Sequence, residues 1–147
     1  MKPEEEVELL LNEGIPFALE MLDKYGEFYP FALALDAQDA PIQVAIDPGE
    51  QHPESTQVLA LLQEAMQKGA ASGDYKATAL VVDVTLQGGK EGESTDAIQV
   101  GLEHNSGYCV NVFLPYGKDE KGEFTFGELL ASPREGTVFS SLPPAGN

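Results

Sequence analysis

The chain has 147 residues, 25 acidic against 8 basic, for a formal net charge of -17 at pH 7, and 42% of it is hydrophobic. That length fits one domain with a core that needs neither disulfide nor metal staple. The acid excess disfavours nucleic acid and anionic membrane surfaces, both of which are bound through Lys and Arg.

Pro3 followed by Glu4, Glu5 and Glu6 suits the first turn of a helix, where a missing N–H and negative charge are both favourable. Val7, Leu10 and Leu11 continue at helical spacing, and Phe17, Leu19, Met21 and Leu22 resume it as far as Gly26, a plausible stop. Gly14 and Pro16 interrupt the pattern. The expectation is two short helices meeting at Gly14 or one helix kinked near Pro16.

The period then changes to two. Phe31, Leu33 and Leu35 alternate with smaller residues, a turn cluster covers residues 36–41, and Ile42, Val44 and Ile46 alternate again. This is a hairpin that ends at Asp47-Pro48-Gly49. A second helix follows, capped by Ser55 or Thr56, with Val58, Leu61, Leu62, Ala65 and Met66 as its buried stripe and Gly69 or Gly73 as its end.

The remainder reads as a meander. One strand puts Thr78, Leu80, Val82, Val84 and Leu86 on one face and Ala77, Ala79, Val81, Asp83 and Thr85 on the other. A polar loop over residues 88–94 leads to a strand with Ile98, Val100 and Leu102. A turn at Asn105-Ser106-Gly107 then leads to Tyr108, Val110, Val112 and Leu114. Phe124-Thr125-Phe126 begins a last short strand or helix. From Ser132 the apolar content is diluted by Pro and Gly, so residues 1–131 read as a single domain and 132–147 as a tail. That tail is partly docked through Val138, Phe139 and Leu142, or disordered.

The fold class this order predicts is α+β, an antiparallel five-stranded sheet with helices packed on it. The αββαβββ order resembles profilin-like and roadblock-like architectures, a likeness of element order that carries no function.

Candidate chemistry is sparse. Asp83, Asp96, Glu103 and His104 sit in or at the ends of strands, where a His with carboxylates suits a divalent cation or general acid/base work. Glu103 and His104 are adjacent in a strand and so point to opposite faces. Glu50, His52 and Glu54 precede the second helix, where polar residues are ordinary solvation. Cys109 lies across a turn from His104, but buried cysteines are mostly small hydrophobes. No Gly-x-Ser-x-Gly elbow occurs, and the 88–92 glycine run lacks phosphate-loop spacing and carries Glu91. No cofactor or metal motif is legible.

Phe28, Tyr29 and Phe31, set in Phe28-Tyr29-Pro30-Phe31, are the candidate partner-binding residues. An extended segment exposes alternate side chains, and an exposed aromatic pair anchors a partner or a second copy of the chain. Acid is concentrated early: residues 1–50 hold 12 acids and two lysines. A basic protein partner is therefore the favoured class.

Several stretches resemble an uncharacterised family of small bacterial proteins: Gly26-Glu27-Phe28-Tyr29-Pro30-Phe31-Ala32, Asp96-Ala97-Ile98-Gln99-Val100, Leu102-Glu103-His104 and Leu114-Pro115-Tyr116. The resemblance spans most of residues 14–130 and implies a bacterial, stand-alone, single-domain protein. With one cysteine, no apolar segment of membrane-spanning length and no signal-peptide core in residues 1–6, a cytoplasmic setting is expected.

The leading expectation is a non-catalytic binding module, in one form an immunity-type neutraliser of a basic protein. Its alternatives are a small metal-dependent hydrolase using Asp83, Asp96, Glu103 or His104, and a roadblock-like dimeric regulator.

Overall fold

A computed structural model describes residues 2–87 and 94–139. The expected loop at 88–93 and the expected docking of Leu142 lie outside the described residues. The described residues form two helices and seven strands: α1 Pro3–Tyr25, β1 Phe31–Asp36, β2 Pro41–Gln43, α2 Ser55–Ser72, β3 Tyr75–Leu86, β4 Thr95–His104, β5 Cys109–Lys118, β6 Phe124–Phe126 and β7 Leu130–Pro133. The fold is α+β with one open antiparallel sheet, ordered β2-β1-β3-β4-β5-β6, and β7 also pairs with β5. The sheet has seven strands where five were expected. β6 and β7 are three and four residues long, too short to show an alternation of their own, and share one edge of β5 by pairing with its two ends.

α1 is one continuous helix through Gly14 and Pro16, which rules out the first alternative, two short helices meeting at Gly14, and keeps the single helix with Pro16 inside it. Pro16 is exposed, so the carbonyl it leaves without a helical donor faces water. Gly14 is buried, and a Cβ there would already touch Val81 and Leu33. The residue that looked like a stop is thus a close approach of helix to sheet. Gly26 ends the helix in the left-handed conformation, φ 74°, with its N–H on the Leu22 carbonyl.

α2 begins at Ser55 itself, and its N-cap lies one residue ahead of the expected Ser55. Glu54 occupies the N-cap position with no side-chain cap bond, and Ser55 is already helical. Gly73 is the C-cap at φ 82°. Gly69 lies inside the helix, where the Tyr75 ring fills the space a side chain would need.

The register shows how the core is divided. Phe31, Leu33 and Leu35 of β1 oppose Val81, Ala79 and Ala77 of β3. Those β3 residues in turn oppose Val100, Leu102 and His104 of β4. This face packs under Val7, Leu10, Ala18 and Leu22 of α1. On the opposite face Ala32 and Ala34 meet Val58, Leu62, Met66 and Ala70 of α2, with Val138 from the C-terminal segment. The sheet is thereby sandwiched, one helix per face.

Alanine in a helix interior ordinarily stabilises by about 1 kcal/mol over glycine. Gly69→Ala is expected to do the reverse and lower the urea midpoint, by about 1–3 kcal/mol of overpacking against Tyr75; a gain in stability would show that the ring moves aside freely.

Candidate functional site

The four polar strand residues are distributed over both faces and both ends of the sheet. Asp83 and Asp96 lie on the α1 face at the end beyond the helix. His104 shares that face at the other end of β4, eight residues from Asp96, or roughly 25 Å of extended chain. Glu103 lies on the α2 face, opposite Thr78. They do not converge, and no group of His, Cys, Asp and Glu among the described residues is placed to hold a metal ion. Cys109 pairs with Glu103 in the ladder, so it lies on the α2 face, away from His104. Burial, with the Glu103 charge added, pushes its thiol pKa up, away from the thiolate a nucleophile requires.

Glu103 is only 1% exposed and is fully occupied. Its Oε1 accepts the backbone N–H groups of Thr137 (2.8 Å) and Val138 (2.9 Å). Its Oε2 accepts from Arg134 Nε (3.1 Å) and the Thr137 hydroxyl (3.2 Å). Arg134 also donates to Asn111 (2.9 Å), and its guanidinium lies where a Cβ on Gly101 would be. Four donors on one buried carboxylate fasten residues 134–138 across the sheet and seat Val138 in the α2-side core.

His104 belongs to a second buried cluster. Its Nε2 is 3.2 Å from Glu6 Oε1. Its Nδ1 accepts the Ser106 N–H at 3.0 Å and lies 2.9 Å from the Ser106 hydroxyl. An N–H donor on Nδ1 assigns the proton to Nε2, which donates to Glu6. Lys76 Nζ stands 3.1 Å from the other Glu6 oxygen, Oε2, as an ion pair rather than an aligned hydrogen bond, since that buried oxygen receives no such bond. Lys76 also bonds Asp39 in the β1–β2 turn. The Asp39 and Glu6 carboxylates hold the Lys76 pKa above its usual value, and Lys76 holds that of Asp39 below its own. Hydroxyl, imidazole and carboxylate are thus in line, but the Ser106 amide occupies the one in-plane lone pair a general base would use. The arrangement ties the start of α1 to the turns at one end of the sheet. Glu6 reads in the sequence as one of three helix-start acids, and nothing local marks it as the buried one.

At the other end Tyr116 donates to Asp83 Oδ1 at 2.6 Å. Burial raises the Asp83 pKa above 3.8, partly opposed by the tyrosine hydrogen bond, and the nearby Asp96 and Glu27 charges raise it further. The same burial and the Asp83 carboxylate push the Tyr116 phenol up.

The expected partner-binding residues have three different environments. Phe31 is buried, Phe28 half-buried and Tyr29 51% exposed. The Phe31 ring is met edge-on by Phe17 at 4.9 Å and by Phe28 at 5.9 Å. Together with Met21 and Tyr25 these residues line a groove of about 640 Å³ between the second half of α1 and the segment before β1. Phe17 is 41% and Tyr25 73% exposed, an exposure hidden in the sequence by the helical period that also carries the core. Glu27 also lines the groove, Glu13 shares a smaller adjoining pocket with Phe17, and Glu4, Glu5, Glu8, Glu20 and Asp23 are exposed elsewhere along α1. Among the described residues, Glu20 pairs with Lys24 at 3.0 Å.

Comparison with known proteins finds no matching family, no matching curated protein and no matching solved structure. No helix of the described residues is long and apolar enough to cross a membrane.

Glu103→Gln places an amide donor against the Arg134 and Thr137 donors and leaves a partly buried guanidinium unpaired. It is expected to cost about 3–5 kcal/mol in urea unfolding and to open residues 134–139 to protease. Asp83 has the opposite sign. Its raised folded pKa means the native state holds the proton more tightly, so its contribution is lost as pH rises above 3.8 through the folded value. Asp83→Asn keeps an acceptor for Tyr116 and is expected to raise the neutral-pH melting temperature and flatten that part of the stability–pH curve.

Proposed function

We propose that this chain is a non-catalytic protein-binding module whose partner is a basic protein, an immunity-type neutraliser being one form of that role. The observation that carries the reading is the aromatic groove at Phe17, Tyr25 and Tyr29, with Glu27 in its lining and Glu13 in the pocket next to Phe17. Exposed aromatic side chains with few rotamers are the commonest energetic anchors of protein interfaces. The surrounding carboxylates select cationic surfaces and speed encounter with them. Tyr29, the most exposed of Phe28, Tyr29 and Phe31, is the anchor a partner reaches, while Phe28 and Phe31 form the floor.

The same charge argues against a second copy as the occupant, since two chains at -17 repel. A hydrolytic reading through Asp83, Asp96, Glu103 and His104 finds no support in their placement, because two of the four are consumed by structural bonds at one end of the sheet.

The test is retention of partners from lysate on immobilised protein at low and high salt, with identification by mass spectrometry. A basic protein released by salt is expected. Tyr29→Ala, whose exposed side chain contributes little to the fold, is expected to weaken that retention by about tenfold or more. Retention unchanged by salt and by Tyr29→Ala removes the reading.

A further inference from the structure

β1 accompanies β3 only as far as Phe31 opposite Val81. Beyond that point Val82–Leu86 pairs, among the described residues, with β4 alone. The chain before Phe31, residues 27–30, is no longer strand.

The parity of the ladder fixes which backbone groups are left over. Val44 N–H donates to the Ala32 carbonyl, so Ala32 faces β2 and Phe31, Leu33 and Leu35 face β3. Their partners Val81, Ala79 and Ala77 therefore point at β1. From the other side, His104 N–H donates to the Tyr108 carbonyl, so Glu103 faces β3 and its partner Thr78 faces β4. Both routes give one result: even-numbered β3 residues bond to β4, odd-numbered ones point away from it. Past Val81, then, Asp83 and Thr85 direct their N–H and C=O groups toward a position that no strand of the described residues occupies.

The side chains around that position differ by face. On the α1 face stand Asp83 and Asp96, with Glu27 close enough for its charge to be felt at Asp83; none of the three makes an ion pair with a described residue. On the other face Val82, Val84 and Leu86 are half-buried. β2, at the outer edge of the sheet, is blunted by Pro41.

Resting on the protein-binding reading above, we propose that the basic partner enters as an extended segment that adds a strand beside Val82–Leu86. The segment alternates Lys or Arg, facing Asp83, Asp96 and Glu27, with Val, Ile or Leu, facing Val82, Val84 and Leu86. Main-chain bonds to Asp83 and Thr85 supply register, and the alternation supplies selectivity. A second copy of this edge would bring Asp83 and another acidic surface into the same position, so charge favours a cationic strand. Glu27 also lines the aromatic groove, which makes the two surfaces neighbours.

The test uses the whole protein and a synthetic peptide alternating Lys and Val, with a second peptide N-methylated at every other residue so that it cannot complete the ladder. In the free protein the Asp83 and Thr85 amides are expected to exchange with solvent much faster than those of Val82 and Val84. The unmodified peptide is expected to slow both. N-methylation, and separately Thr85→Pro, are expected to weaken peptide binding by about tenfold or more, the loss of one or two ladder bonds. Absence of protection at Asp83 and Thr85 at millimolar peptide, or equal binding of the N-methylated peptide, overturns the proposal. So does a dimer that Thr85→Pro converts to monomer, because the position would then hold a second copy. A basic partner lost in Tyr29→Ala but retained in Thr85→Pro leaves the protein-binding reading standing and removes only the strand. Loss of salt-sensitive retention altogether removes both.

Discussion

The constraint on which the rest of the structure depends is that β3 has no water-facing side over its first half. Ala77, Ala79 and Val81 project one way and Thr78 and Leu80 the other, and all but Leu80 are buried. A strand that is apolar on both faces must be covered twice. α1 covers one side and α2 the other, and neither suffices alone. The small residues of the first set also set the spacing, because a helix passing over Ala and Gly comes closer than one passing over Leu. Gly14 against Val81 and Leu33 is one such close approach.

α2 is the shorter cover and reaches only β1 and β3, so the same face of β4 needs another lid. The C-terminal segment supplies it, held at Glu103 by backbone and side-chain donors together. A lone buried carboxylate destabilises a core; one receiving four donors is satisfied and specifies a single path for the segment it binds. Among the described residues no helix or segment covers the face beyond Leu80, and there Val82, Val84 and Leu86 are only half-buried. The surfaces proposed to take a partner are those left over once the covers of the described residues are shared out.

Much of this was legible beforehand. The β1–β2 hairpin, the two sets of β3 side chains and the stop at Gly26 follow from alternation and turn chemistry, but β2 ends at Gln43 rather than running on through Val44 and Ile46. Val138 stood out as apolar within a dilute segment and is buried. What escaped notice depends on distant pairs. Glu103 and Thr137 are 34 residues apart, Glu6 and His104 are 98 apart, and neither pair leaves a local trace. Gly14 is not the helix boundary it resembles, because its missing side chain serves a tight contact with Val81 and Leu33, while Pro16 lies inside a single helix with its exposed side to water. Phe17 and Tyr25 were hidden because an exposed aromatic in an amphipathic helix has the same spacing as a buried one.

The Glu103 fastening also sets an order of events during synthesis. The carboxylate leaves the ribosome 34 residues ahead of the Thr137 amide that satisfies it. At the 5–20 residues per second typical of translation this is an interval of a few seconds. During it both helices and the central strands are available to pair, while Glu103 must stay hydrated and the site of Val138 stays open. Until residues 134–138 follow, the four donors that satisfy Glu103 in the folded chain are absent and the site of Val138 is unfilled.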